Sequence, residues 1–106
     1  MKLILDENRF DDLQIELLDE LANAVKDHLQ EAKVPDDILN ETMVDIVFSI
    51  ATIIDGSRAT SFEGHEIIPV LTFLIDEDDA PNSGTLLHCG GPSSLHDHVM
   101  SMFDES

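Results

Sequence analysis

The chain has no tryptophan and no tyrosine, and its aromatic content is five phenylalanines. Platforms that stack on bases are built from exposed aromatic rings, yet Phe10, Phe48, Phe62, Phe73 and Phe103 mostly sit inside apolar patterns. Positive charge is as scarce: five Lys+Arg stand against 23 Asp+Glu, a formal net charge of −18. A surface of that sign repels nucleic acid and anionic lipid, so neither is expected as a partner. A phosphorylated substrate is disfavoured as well, because only Arg9 and Arg58 could grip one bidentately. The single cysteine, Cys89, cannot form an internal disulfide. No run has the apolar length of a membrane span. The first residues, MKLILDENRFDD, turn acidic too early for a signal-peptide core, so a cytoplasmic protein is expected. Repeats, low-complexity runs and zinc-module spacing such as C-x₂-C are missing too.

What is present fits one domain over residues 1–106, long enough for a single core without disulfide support. Its organising stretch is Asp36–Ile54. Leu39, Met43, Ile46, Val47, Ile50, Ile53 and Ile54 recur at three- and four-residue steps, which places them on one face of a helix. Asp36 is positioned to cap the start, Asp37 adds negative charge there, and Gly56 supplies a left-handed residue just past the end. The uninterrupted length, roughly 28 Å at ~1.5 Å per residue, decides against a strand despite the β-branched content. Ile38, Val44, Phe48 and Ala51 make the far side apolar too, so cover from both directions is expected.

An earlier helix starts at Asp11 or Asp12, with Leu13, Leu17, Leu18, Leu21, Val25, Leu29 and Ala32 as its core stripe. Val34-Pro35-Asp36 breaks it, and so short a connection implies an antiparallel αα-hairpin. Before it, Lys2–Leu5 reads as an edge strand or as a lead-in to the helix. After Gly56 the pattern becomes extended, with strands expected at Ser57–Glu63, Glu66–Ile75 and Thr85–Cys89. Both faces of Glu66–Ile75 are mostly apolar, which predicts a central or doubly covered strand, although Pro69 cannot donate a ladder bond and marks a start, an edge or a bulge. Ser93 or Ser94 would cap a last helix, Leu95–Phe103.

Reactive side chains concentrate in His88-Cys89-Gly90-Gly91-Pro92-Ser93-Ser94-Leu95-His96-Asp97-His98. A metal site needs three or four convergent ligands. His88 and Cys89 are neighbours on a strand and point to opposite faces, while His96 and His98 lie roughly 200° apart on a helix of ~3.6 residues per turn. A cysteine nucleophile would want a histidine base and a cationic neighbour, but no arginine follows Arg58 and the C-x₅-R phosphatase pattern fails at Leu95. The acidic loop Asp76–Gly84 does not match a calcium loop, which would need an oxygen ligand at Ala80, glycine at Pro81 and Glu at Leu87.

The expected fold is therefore α+β: an αα-hairpin packed on a small, about three-stranded antiparallel sheet, followed by a short C-terminal helix. The acidity has three readings: a solvated surface that maintains solubility, adaptation to a salty cytoplasm, or a face complementary to a basic partner. The expected function is a non-enzymatic, acidic interaction module without a cofactor, binding a protein for which a basic surface is the natural complement. Its candidate contacts are Glu16, Asp19, Glu20 and Asp27 on the outer face of the first helix, with Asp76, Glu77, Asp78 and Asp79 in the loop. The outer face of Glu66–Ile75, if left open, is a homodimer surface. The alternative is a metal- or thiol-dependent activity centred on His88, Cys89, His96 and His98.

Overall fold

The computed structural model describes residues 2–58, 60–76 and 84–103. In chain order it contains β1 (Lys2–Leu5), α1 (Glu7–Glu31), α2 (Asp36–Ile54), β2 (Ser61–Phe62), β3 (His65–Glu66), β4 (Phe73–Ile75), β5 (Thr85–His88) and α3 (Leu95–Met102). The fold is α+β, as its residue patterns predict: a helix pair, a three-stranded sheet and a short last helix.

The α1–α2 pair follows from local signals. Asp6, extended at φ −150°, caps α1 by accepting from the Arg9 N–H at 3.1 Å. This side-chain cap sets the helix start at Glu7, several residues before the acidic pair Asp11-Asp12. The helix ends in a Schellman arrangement, with Val34 N donating to Leu29 O and Lys33 N to Gln30 O. Lys33 takes the left-handed position at φ 61°. The end of α2 is built the same way around Gly56, at φ 75°, where an added Cβ would lie 2.7 Å from Ile68 Cγ2. At the start of α2, Pro35 rather than Asp36 is the cap residue and makes no side-chain bond. Asp36 and Asp37 lie inside the first turn and act on its dipole.

The core joins α1, α2 and α3 through Leu18, Ala22, Met43, Val47, Ala51, Leu95 and Val99. The fully buried line of α2 is Leu39, Met43, Val47 and Ala51, at strict four-residue steps. Ile46 and Ile53, expected in the core, are exposed. Ala51, expected on the far side, is buried in the one cluster that α2 shares with both α1 and α3. On α1 the buried line is Phe10, Gln14, Leu18 and Ala22, while Leu13, Leu17 and Leu21 flank it half-buried.

The sheet order is β1–β5–β4. It is mixed, which corrects the antiparallel expectation: β4 and β5 pair antiparallel, whereas β1 pairs parallel with β5. Lys2–Leu5 is thus an edge strand, brought beside the last strand by the whole intervening chain. The expected Glu66–Ile75 strand is split. His65–Glu66 pairs with Ser61–Phe62 in a separate hairpin, and the ladder resumes only at Phe73. Pro69 lies in the gap, where a residue without an N–H cannot sustain a ladder. Alternation nevertheless persists across the gap: Pro69, Leu71, Phe73 and Ile75 are half-buried, and Ile68, Val70, Thr72 and Leu74 are exposed. The segment is therefore at an edge with one open face, not central. Inside the sheet, Ile4, Leu87 and Phe73 share one row, and Phe10 of α1 meets Phe73 edge-on with ring centroids 5.2 Å apart.

Candidate functional site

Asp55 and Gln14 organise the junction where the C-terminal segment meets the helix pair. Asp55 ends α2, a position whose partial negative charge disfavours a carboxylate. It is held there by what it faces. The start of α3 points at it, and its two oxygens take four donors. Oδ1 accepts from the Ser93 hydroxyl at 2.5 Å and Leu95 N at 3.0 Å. Oδ2 accepts from His96 N at 2.8 Å and lies 2.5 Å from His96 Nδ1. The Asp55 side chain is essentially sealed from solvent while that of His96 is about a third exposed. A carboxylate from another helix thus caps α3. Ser94 is the cap residue by position but makes no capping bond with its own side chain, and Ser93 is spent on the carboxylate.

Gln14 completes the junction from α1. It is fully buried, and its carbonyl accepts from Ser94 N at 2.8 Å. Its amide nitrogen lies 3.0 Å from Asp11 Oδ1, 3.3 Å from Ser94 Oγ and 3.3 Å from His98 Nε2. A buried amide without partners costs several kcal/mol, on the order of 2–7, so these contacts are what permits glutamine in an otherwise apolar line. Neither Gln14 nor Asp55 was singled out by sequence reasoning. Two signals pointed to them: a polar residue in the i, i+4 series Phe10, Leu18, Ala22, and an acid at the wrong end of a helix.

The four residues of the metal or thiol hypothesis separate in space and in bonding. His96 and His98 reach the same junction but take different partners, Asp55 for one and Gln14 with Asp11 for the other. His88 Nδ1 accepts from Gly90 N at 3.2 Å. The half-buried Cys89 thiol donates to the carbonyls of Gly91 at 3.3 Å and Pro92 at 3.5 Å, local turn contacts. Among the described residues no group of three His, Cys, Asp or Glu side chains is placed to hold a metal ion. Ser93, His96 and Asp55 are the residue types of a nucleophilic relay, in which the serine bonds the histidine. Here both bond the carboxylate, and His96 Nε2 faces Asp97 at 3.4 Å. The arrangement suits holding a helix end, not activating a hydroxyl.

The residues of the interaction hypothesis lie at the surface. Glu16, Asp19, Glu20 and Asp27 are exposed along α1, and Asp76 is exposed after β4; Glu77, Asp78 and Asp79 fall outside the described residues. A cleft of about 390 Å³ lies over the β2–β3 hairpin, lined by Thr60, Ser61, Gly64, His65 and Glu66, all exposed. The clearest surface feature is apolar. Pairing register puts Leu3, Leu86 and Leu74 in one row across the outer face of the sheet, with Leu5 on the same face. Leu3 is 61% exposed, Leu5 58% and Leu74 54%. No described element packs over that row.

No helix among the described residues is long and apolar enough to cross a membrane. Compared with protein-family models, with curated proteins and with solved structures, the chain finds no match.

Proposed function

We propose that the protein is a non-enzymatic interaction module that docks a protein partner on the outer face of its sheet. The carrying observation is the row Leu3–Leu86–Leu74 with Leu5, in which Leu3, Leu5 and Leu74 are exposed, Leu86 is half-buried and no described element lies over them. Contiguous exposed apolar surface of this kind marks interaction sites in soluble proteins. The partner class follows from charge. A chain of net −18 favours a partner that is basic around its own apolar contact, because complementary potential speeds encounter and suppresses wrong partners. The exposed acids of α1 contribute to that field at long range.

A defined probe tests this reading: a lysine-rich peptide with one leucine face, compared with a lysine-rich peptide of equal charge and no apolar residue. In fluorescence anisotropy the amphipathic peptide is expected to bind, to weaken as salt rises, and to lose at least tenfold in affinity against Leu74→Ser, about 1.4 kcal/mol. Equal binding of both peptides would mean that charge alone acts and would remove the sheet face from the reading. No binding of either would sink the reading as a whole.

A further inference from the structure

The free edge of β1 fits a second copy of itself. Lys2 N donates to Gly84 O and Asp6 N to His88 O, both at 3.2 Å. In a parallel ladder the residues that bond one neighbour alternate with residues that face away. Lys2, Ile4 and Asp6 therefore face β5, and the N–H and C=O groups of Leu3 and Leu5 face outward. No described strand lies on that side, since β1 is terminal in the order β1–β5–β4. All four residues of β1 are exposed, so the edge is accessible along its length. It is also neither bulged nor proline-blocked, two of the devices by which edge strands avoid pairing, and its one charge, Lys2, finds an acid in the pairing described below.

We propose that two copies of this chain associate through β1, antiparallel about a two-fold axis at Ile4, to form a continuous six-stranded sheet. This register pairs all the outward groups of Leu3 and Leu5 with one another: Leu3 of each copy exchanges two hydrogen bonds with Leu5 of the other, and Ile4 faces Ile4. The same register sets Lys2 opposite Asp6 of the second copy, twice. Lys2 is the only cation on the strand. Asp6 continues it in extended conformation, with its Oδ1 accepting from Arg9 N. The edge is thus self-complementary in backbone pattern, in side-chain size and in charge. A net charge of −18 on each copy opposes encounter, but that repulsion acts over distance and is screened by salt, whereas the pairing acts at contact. Self-association is therefore expected to strengthen with ionic strength. This inference stands on the strand edge and not on the sheet-face reading. Both can hold together, because pairing would extend the leucine row from one copy to two.

The test is sedimentation velocity at high protein concentration, with ionic strength raised from about 0.01 M to about 1 M, which shortens the Debye length from about 30 Å to about 3 Å. A dimer fraction that grows with salt is expected. Leu3→Pro removes an N–H with no bond inside the chain and should lower the association constant at least tenfold. Lys2→Glu converts both attractive pairs to repulsion and should do the same, with thermal melting confirming that each variant stays folded. In amide exchange, Leu3 and Leu5 should gain protection as concentration rises, while Ile4 is protected throughout. A monomer at every salt concentration would overturn the proposal. So would a dimer that ignores both variants, or one abolished only by Leu74→Ser, which would assign association to the sheet face. Peptide binding of the preceding section has the opposite salt dependence and needs Leu74, so either idea can fail alone.

Discussion

At the helix junction Gln14, Asp55 and Ser93 are buried, and every buried side-chain nitrogen or oxygen among the described residues has a partner. On the outer side of the sheet the reverse holds: Leu3, Leu5 and Leu74 are more than half exposed, and no described strand pairs with the outer edge of β1. Polar groups taken out of water demand specific partners, so the junction defines one geometry for α3. Apolar groups left in water demand only cover, and the sheet carries that demand outward. The junction is where the fold is specified, and the sheet is where the molecule is free to engage something else.

Breaking the junction is expected to have the largest effect. Asp55→Ala leaves four donors without their acceptor at a buried site, and should destabilise the fold by about 4 kcal/mol, read as a lowered urea midpoint. If the midpoint barely moves, the carboxylate does not anchor α3. Leu87→Ala comes next. Leu87 is fully buried on the inner row between Ile4 and Phe73, and its truncation should cost about 3 kcal/mol. Gln14→Ala should cost about 2 kcal/mol, because Ser94 N loses its acceptor while the cavity is small. Leu74→Ser sharpens the contrast from the other side. It alters a leucine one residue from Phe73, yet on the open face, and should change stability by no more than about 0.5 kcal/mol while removing peptide binding. Cys89→Ser is expected to be the mildest, a shift of a few tenths of a kcal/mol with no change in binding, since the thiol serves only turn carbonyls. Loss of a thiol-dependent activity in that variant would instead revive a role for Cys89.

Both helices of the pair, the turn between them and the last helix were legible because their signals are local. Apolar steps of three and four, Pro35 after Val34, and Gly56 beyond Ile54 each act within a few residues. The sheet was legible only in part. Residue pattern identified extended segments around Phe73–Ile75 and Thr85–His88 and Pro69 as a problem, and it left Lys2–Leu5 open between an edge strand and a lead-in to the helix. Pairing partners are set by distant parts of the chain, so the parallel β1–β5 ladder left no trace in either strand. Among the candidate sites, strand and helix periodicity set His88 apart from Cys89 and His96 apart from His98; His88 and Cys89 take local turn partners, whereas His96 and His98 take theirs from Asp55, Gln14 and Asp11. The junction escaped notice because Gln14, Asp55 and the start of α3 are far apart in sequence and meet only after the hairpin has formed.

The sequence by itself determined the acidity, the helix boundaries near Pro35 and Gly56, and the extended character of Phe73–Ile75. These depend on composition and on dihedral preferences that neighbours enforce. The tertiary structure alone decided that Asp55 would cap a helix some forty residues away, that β1 would lie parallel beside β5, and that no described element would cover the leucines of the outer row. Each of those outcomes is a relation between segments distant in the chain, fixed by which buried polar groups can be satisfied together and which surfaces no described segment reaches.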